Sequence, residues 1–377
     1  MKIILDIQIS GKLYLLPMLK FLIVGSGFFG SVCARELTDA GHKCIIIEKR
    51  NHIGGNVYSQ NINEIEIHKY GPHIFHTNDS KIWEYVKKFT AFNNYVNRPK
   101  VYYKGQIFSF PINLMTLYQL WGVKNPKEAK QKLDSVKIKI QNPQNLEEWI
   151  LSQVGEEIYY TFIYGYTKKQ WNTEPKNLPS FIIKRLPIRL TFDDNYFYDK
   201  YQGIPENGYT NMILNMIDGA DFDLHTDYFS NRDYWDSKAN KVIFTGKIDE
   251  FYEYRFGQLN YRGLKFENII LNDTNDFQGN AIINYTDSTV PYTRIIEHKH
   301  FTFNNSDNTI ITKEYPDDYD NSKIPYYPIN TEANNKTYSK YANLSKQETK
   351  YIFGGRLSEY RYYDMHQVIG SALQVIL

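Results

Sequence analysis

The sequence is poor in cysteine, in long apolar runs and in any surplus of one charge. Two cysteines among 377 residues, Cys33 and Cys44, cannot frame a disulfide-rich secreted scaffold, and both sit in apolar stretches where a small buried thiol is the ordinary role. No run approaches the ~18 apolar residues that span a bilayer. Lys and Arg total 44 against 42 Asp and Glu, a formal charge of +2, so no single-sign field draws nucleic acid or a membrane surface. A cytoplasmic protein without nucleic-acid partners or membrane insertion is expected. Residues 1–17 contain Asp6, Gln8 and Lys12 and lack a small-residue cleavage site. They read as an upstream start or accessory strand of unknown role, not as a signal peptide.

What the chain does have is length and aromatic rings. Its 377 residues exceed a ~150-residue domain more than twofold, which predicts two or three units sharing a core. With 33 Tyr, 22 Phe and 5 Trp, aromatics make up 16%. Tyrosine joins an apolar ring to a hydroxyl and suits a cleft that grips a ring system and a polyanion, although an AT-rich coding bias produces the same excess.

The first local signal is the apolar run Phe21-Leu22-Ile23-Val24, followed by Gly25-Ser26-Gly27-Phe28-Phe29-Gly30 and a helical stretch from Ser31 to Leu37. A second strand, Cys44 to Ile47, ends in Glu48. Strand, G-x-G-x-x-G, helix, strand and acid form the dinucleotide-binding pattern: glycines let a pyrophosphate approach the backbone, free helix N–H groups face it, and the acid accepts from a ribose hydroxyl. An ordinary glycine turn is the competing reading. Lys49 to Asn56 then adds a second glycine pair, Gly54-Gly55. FAD enzymes of the glutathione-reductase-like and amine-oxidase-like group carry such a pair, so FAD is favoured over NAD, with side-chain-free backbone passing close to an extended cofactor.

Longer motifs are more specific. His68-Lys69-Tyr70-Gly71-Pro72-His73-Ile74-Phe75-His76-Thr77 is followed by Gly165 to Trp171, Phe181 to Arg185, Tyr201 to Pro205, Pro291 to His300, Pro325 to Pro328, Phe353 to Arg356 and Tyr362 to Gln367. In this order, from about Met18 to the C-terminus, the chain resembles prokaryotic UDP-galactopyranose mutases. That resemblance implies a cytoplasmic isomerase, usually homodimeric, that interconverts UDP-galactopyranose and UDP-galactofuranose for cell-surface glycans. It implies reduced FAD as the active cofactor, a covalent adduct between its N5 and the anomeric carbon, and a reductant such as NAD(P)H or a reductase.

The fold class expected is α/β: a discontinuous Rossmann-like FAD-binding domain (18–80, 203–240 and 345–377), a mainly helical insertion (81–195) and a mainly antiparallel sheet (196–202 and 241–344). Helical patterns run from Pro126 to Leu133 and from Asn145 to Ile150, and strand patterns from Tyr261 to Phe266 and Ala281 to Tyr285. By resemblance, residues 177–187 form a mobile lid.

The resemblance also assigns site residues. Arg185 and Arg294 are implied to hold the diphosphate, where a bidentate guanidinium suits phosphate oxygens and developing charge. Tyr196, Tyr327 and Tyr362 donate to the same phosphates. Phe162 and Tyr166 hold the uracil with Asn284 as a polar contact, Trp171 lies by the sugar, and Arg262 joins the substrate set. Single tyrosines or rings among so many could equally be core packing. On the cofactor side are Gly25, Gly27, Phe28, Phe29, Gly30, Glu48, Lys49, Gly55, Asn56, His73, His76, Arg356, Asp364 and Met365. His76, Asp364 and the two arginines are the catalytic set. Asp364 is placed to cap a helix starting at Met365 whose N–H groups face the flavin. His73 and His76 lack a clear third ligand, so no metal is expected. Two rivals stand beside this reading: an amine-oxidase-like flavin oxidoreductase and an idle nucleotide-sugar binder. The sequence also leaves open a UDP-N-acetylgalactosamine mutase.

Overall fold

A five-stranded parallel sheet organises the computed structural model, which describes residues 6–9, 12–15, 18–184 and 186–376. Its order is Asp221–Asp223, Lys43–Ile47, Lys20–Val24, Lys241–Phe244 and Tyr351–Phe353, all parallel. Strands covered on both faces read as unbroken apolar runs, and Phe21, Leu22, Ile23, Val242, Ile243 and Phe244 are all buried. The helix Phe28–Asp39 crosses from Lys20–Val24 to Lys43–Ile47 and buries Phe29, Val32, Cys33 and Leu37. The last helix, Met365–Ile376, packs beside it through Val368, Ile369 and Ala372.

A second sheet of seven strands runs Tyr327–Pro328, Tyr261–Leu271, Thr309–Asp318, Arg294–Glu297, Ile282–Tyr285, Lys100–Tyr103 and Gln106–Ser109. Only Ile282–Tyr285 and Lys100–Tyr103 are parallel neighbours. Helices Leu114–Trp121, Pro126–Val136 and Leu146–Ile158 pack in one buried cluster with Val101 and Phe108 of this sheet; they are entered at Asn113, Asn125 and Asn145, whose side chains accept backbone N–H groups of the first turn. The last continues through a wide π-helical turn, Tyr159–Tyr164, into Gly165–Trp171. No helix among the described residues is long and apolar enough to cross a membrane. In the N-terminal extension, Asp6–Ile9 pairs with Lys12–Leu15 as a hairpin.

Three stretches fall elsewhere than the sequence divides them. Lys241–Phe244, assigned to the antiparallel part, is the fourth strand of the parallel sheet, because its Val-Ile-Phe run needs cover on both faces. Lys100–Tyr103 and Gln106–Ser109, counted with the helices, form an edge hairpin of the seven-stranded sheet. The Lys104-Gly105 turn that closes it has positive φ at both residues, 47° and 83°, the geometry of a tight hairpin. Tyr201–Gly203 pairs with Phe75–Thr77 and not with the large sheet.

Candidate active site

One cleft of about 1110 Å³ runs from the parallel sheet to the seven-stranded sheet. That exceeds the ~300–1,000 Å³ common for a single small molecule, and its two ends differ in chemistry.

At the parallel-sheet end the two glycine motifs touch. Gly25 has φ +104°, and a Cβ on Gly30 would lie 2.1 Å from the Gly25 carbonyl oxygen, so the helix enters only without a side chain. A Cβ on Gly55 would lie 3.2 Å from Gly27 Cα, and Gly54 N donates to Ser26 O at 3.1 Å. A Cβ on Gly27 meets nothing within 4 Å, so the cradle opens there onto the cleft. Glu48 accepts from Ser26 N at 3.0 Å, Ser26 Oγ at 2.7 Å and Arg50 N at 3.1 Å, which fixes its carboxylate at the strand end. Lys49 pairs with Asp227 at 2.7 Å. Phe28, Phe29, Asn56, His73, Arg356 and Met365 line the cleft as well, Arg356 with its guanidinium over the Tyr362 ring. These residues fit a dinucleotide: a bare-backbone rim, helix N–H groups and an acid in one place.

At mid-cleft, His76 Nδ1 donates to Asp199 Oδ2 at 2.7 Å, since a carboxylate can only accept. The ring stacks on Phe197 at 3.7 Å between centroids. Asp364 precedes the helix Met365–Ile376: its carbonyl accepts from Gln367 N and Val368 N, and its N–H donates to Gln367 Oε1 at 2.9 Å. The contact at this cap is thus made by Gln367 reaching back. Donor atoms of His76, Asp364 and His366 lie within 4.8 Å of one another, so the lack of a third ligand, on which the sequence argument against metal rested, does not hold. His73 instead donates from Nδ1 to the Gly71 carbonyl at 2.7 Å, and burial pulls its pKa down to about 4.

At the seven-stranded end, Asn284, Arg294 and Glu314 are register partners across three adjacent strands. Directly opposed residues share a face, so amide, guanidinium and carboxylate line up in one row. Arg294 Nε is 3.1 Å from Glu314 Oε1, and Nη2 donates to the Tyr166 hydroxyl at 2.6 Å. Burial opposes the Arg294 charge, but Glu314 and then Tyr166, Tyr327 and Tyr196 outweigh it, and its pKa is raised. Burial pushes Tyr166 up to about 12, so its hydroxyl stays a donor at neutral pH. Tyr327 and Tyr362 stack at 5.5 Å between centroids, and Tyr196, Phe162 and Trp171 complete this end.

The structure thus gathers in one cleft residues that the sequence spreads from Gly25 to Met365. Arg262 is not part of the cleft wall: its Nε donates to the Gln170 carbonyl at 3.1 Å and its guanidinium pairs with Asp318, so it braces the helix Gly165–Trp171 against the sheet. A buried arginine looks the same in sequence whether it faces ligand or carbonyl. Arg185 lies outside the described residues, while its neighbours Ile182, Ile183, Leu186 and Pro187 line the cleft. Sequence reasoning missed Glu314 and Asp199. Strand alternation was the available signal for Glu314, which falls two and four residues after Thr312 and Ile310 and so on the same face, and Asp199 had none.

Comparison with known proteins agrees with this geometry. The sequence model of the UDP-galactopyranose mutase family matches residues 161–362, and that of NAD(P)-binding Rossmann-like domains matches residues 23–89. The first match covers the substrate side of the cleft, which an oxidoreductase sharing only the cofactor cradle would lack. The chain is 42% identical over 365 residues to dTDP-fucopyranose mutase of Escherichia coli, covering 94% of this chain and 97% of that one. It is 41% identical to a probable UDP-galactopyranose mutase of Klebsiella pneumoniae, covering 94% and 92%. A crystal structure of reduced UDP-galactopyranose mutase, 13% identical, shares the fold over 95% of both chains with a TM-score of 0.71. The chain therefore belongs to the UDP-galactopyranose mutase family, flavin-dependent isomerases built on a Rossmann-like domain.

Proposed function

We propose that the protein interconverts UDP-galactopyranose and UDP-galactofuranose with reduced FAD. The observation that carries this reading is the row Asn284, Arg294 and Glu314, joined to Tyr166, at one end of a cleft whose other end is a bare glycine cradle. A dinucleotide at the cradle and a nucleotide sugar at the row would meet at mid-cleft.

Gly25, Gly27, Gly30, Glu48, Gly55 and Arg356 would hold the FAD backbone, with Phe28, Phe29, Lys49, Asn56, His73 and Met365 around it. When bound and reduced, the flavin supplies an electron-rich nitrogen nucleophile suited to an anomeric carbon. The chain's residues supply position and charge. Arg294, with Arg185 from the proposed lid at 177–187, takes up the charge of the departing diphosphate, and Tyr196, Tyr327 and Tyr362 donate to it. Phe162, Tyr166 and Asn284 hold the base. Trp171 and Asp364 border the sugar, and His76, oriented by Asp199, stands beside the flavin. The cofactor body, helices and large sheet close round the cleft and limit water. NAD(P)H or a reductase would supply electrons to the flavin in the cytoplasm, and a homodimer is the proposed assembly.

The 42% identity to a dTDP-fucopyranose mutase favours a second reading in which the substrate is dTDP-fucopyranose, which differs at the base methyl, the ribose 2′ position and the sugar 6-hydroxyl. The test incubates dithionite-reduced protein separately with UDP-galactopyranose, UDP-N-acetylgalactosamine and dTDP-fucopyranose and resolves the ring isomers chromatographically. Faster conversion of UDP-galactopyranose supports the first reading, faster conversion of dTDP-fucopyranose the second, and conversion of none refutes both.

A further inference from the structure

The helix Gly165–Trp171 carries Tyr166 and Trp171, and the loop after Ile282–Tyr285 leads to the strand that carries Arg294. Between them sits a cation that the proposed chemistry does not use. Lys169 Nζ lies within hydrogen-bond distance of four backbone carbonyls that share its three N–H groups: Tyr285, at the strand end, and Asp287 at 2.8 Å, and Val290 and Tyr292 of the loop at 3.0 Å. Four carbonyl dipoles aimed at one point repel one another unless a cation lies there. The same helical segment pins the loop twice more. Thr286 Oγ1 donates to the Thr161 carbonyl, and a Cβ on Gly165 would lie 2.1 Å from the Thr286 carbonyl oxygen. Burial pulls the Lys169 pKa down to about 8, against a smaller upward pull from Asp287. Neutral dipoles, not an ion pair, hold this ammonium.

We propose that Lys169 is a positioning residue: its ammonium assembles the carbonyl cage and thereby sets the Tyr166 ring and the Arg294 guanidinium, 2.6 Å apart through Nη2 and the hydroxyl, before nucleotide arrives. The inference rests on reading Tyr166 and Arg294 as nucleotide contacts. A device that places base and diphosphate contacts together acts on binding of the nucleotide. The glycine cradle that would anchor the cofactor lies at the opposite end of the cleft and is not touched by the cage.

The test uses flavin-loaded Lys169→Met and Lys169→Ala proteins, with UDP affinity by calorimetry, KM and kcat for the nucleotide sugar, and the flavin spectrum. UDP affinity is expected to fall about tenfold to about a hundredfold, with KM rising in step and flavin content unchanged. In Lys169→Ala, n-propylammonium supplies the removed atoms from Cγ to Nζ and restores affinity with saturation, whereas tetramethylammonium, without N–H donors, does not. Parent-like affinity in Lys169→Met overturns the proposal. Loss of flavin from both variants, or affinity in Lys169→Ala that propylammonium leaves unrestored, also overturns it, because the lysine is then a general structural support. If the parent itself binds neither UDP nor dTDP, the functional reading fails instead.

Discussion

Glu314 faces Arg294 directly across the antiparallel ladder, its Oε1 3.1 Å from the guanidinium Nε, and is itself buried to 1% exposure. The pair aims one fork of the arginine at Tyr166 and the cleft while cancelling its charge from behind. Arg294→Ala is expected to lower conversion by about two to three orders of magnitude with flavin still bound. It also leaves Glu314 as a buried unpaired charge, which costs about 3 kcal/mol of stability. Arg294→Met combined with Glu314→Leu recovers the stability but not the activity. Chemical denaturation and turnover on the single and double variants check both halves, and an Arg294→Ala protein with near-parent turnover would refute the assigned role.

Gly27 and Gly30 separate cofactor binding from folding. An alanine Cβ at Gly30 collides with the Gly25 carbonyl at 2.1 Å, while one at Gly27, where φ is −70°, meets no protein atom within 4 Å. Gly27→Ala should keep flavin-free stability within about 0.5 kcal/mol of the parent yet bind flavin at least about tenfold more weakly, because the new methyl stands where a pyrophosphate must approach. Gly30→Ala should lose both. Equal flavin affinity in Gly27→Ala and the parent would remove the cradle from the account.

Asp199 fixes the His76 tautomer. With Nδ1–H given to the carboxylate, Nε2 is the nitrogen left for the cleft. Asp199→Leu frees the ring, and conversion should fall about tenfold to about a hundredfold, the usual effect of removing a carboxylate that orients a functional histidine. Nitrogen-15 NMR should report a shift from the single Nδ1–H form to a tautomer mixture. An unchanged His76 spectrum would contradict the assignment.

Acid should unfold the protein through buried neutral histidines. His298 Nδ1 accepts from His68 N, and His68 Nδ1 accepts from His73 N. Burial lowers His298 to about 3, His73 to about 4 and His68 in the same direction. The unfolded chain, with ordinary histidines near ~6.5, binds more protons below that pH than the folded one. Their contribution is full above pH ~6.5 and falls toward the folded pKa values, by about 1.4 kcal/mol per pH unit for each histidine. Denaturant unfolding at pH 7, 6 and 5 should show this slope, and a flat profile would contradict it.

The glycine cradle was legible because its parts are contiguous: strand, glycine loop, helix and Glu48 lie within one short stretch, and local spacing alone dictates their geometry. The helix starts were nearly so, with Asn145 standing one residue outside the helix it caps. The substrate end was legible only through the family motifs. Asp199 meets His76 from 123 residues away, and Tyr166 meets Arg294 across 128. No local pattern encodes such contacts. Arg262 shows the same limit from the other side, since only the fold turns its guanidinium toward the Gln170 carbonyl and Asp318. Lys241–Phe244 was misplaced because a short apolar strand carries no mark of which sheet will bury it.

The most direct test of the account is the dependence of isomerisation on flavin oxidation state. Anaerobic protein should interconvert nucleotide-linked pyranose and furanose when its flavin is reduced, fall silent when it is oxidised, and leave the flavin spectrum unchanged over many turnovers. Bleaching of oxidised flavin by the sugar nucleotide, with an oxidised sugar as product, would contradict it.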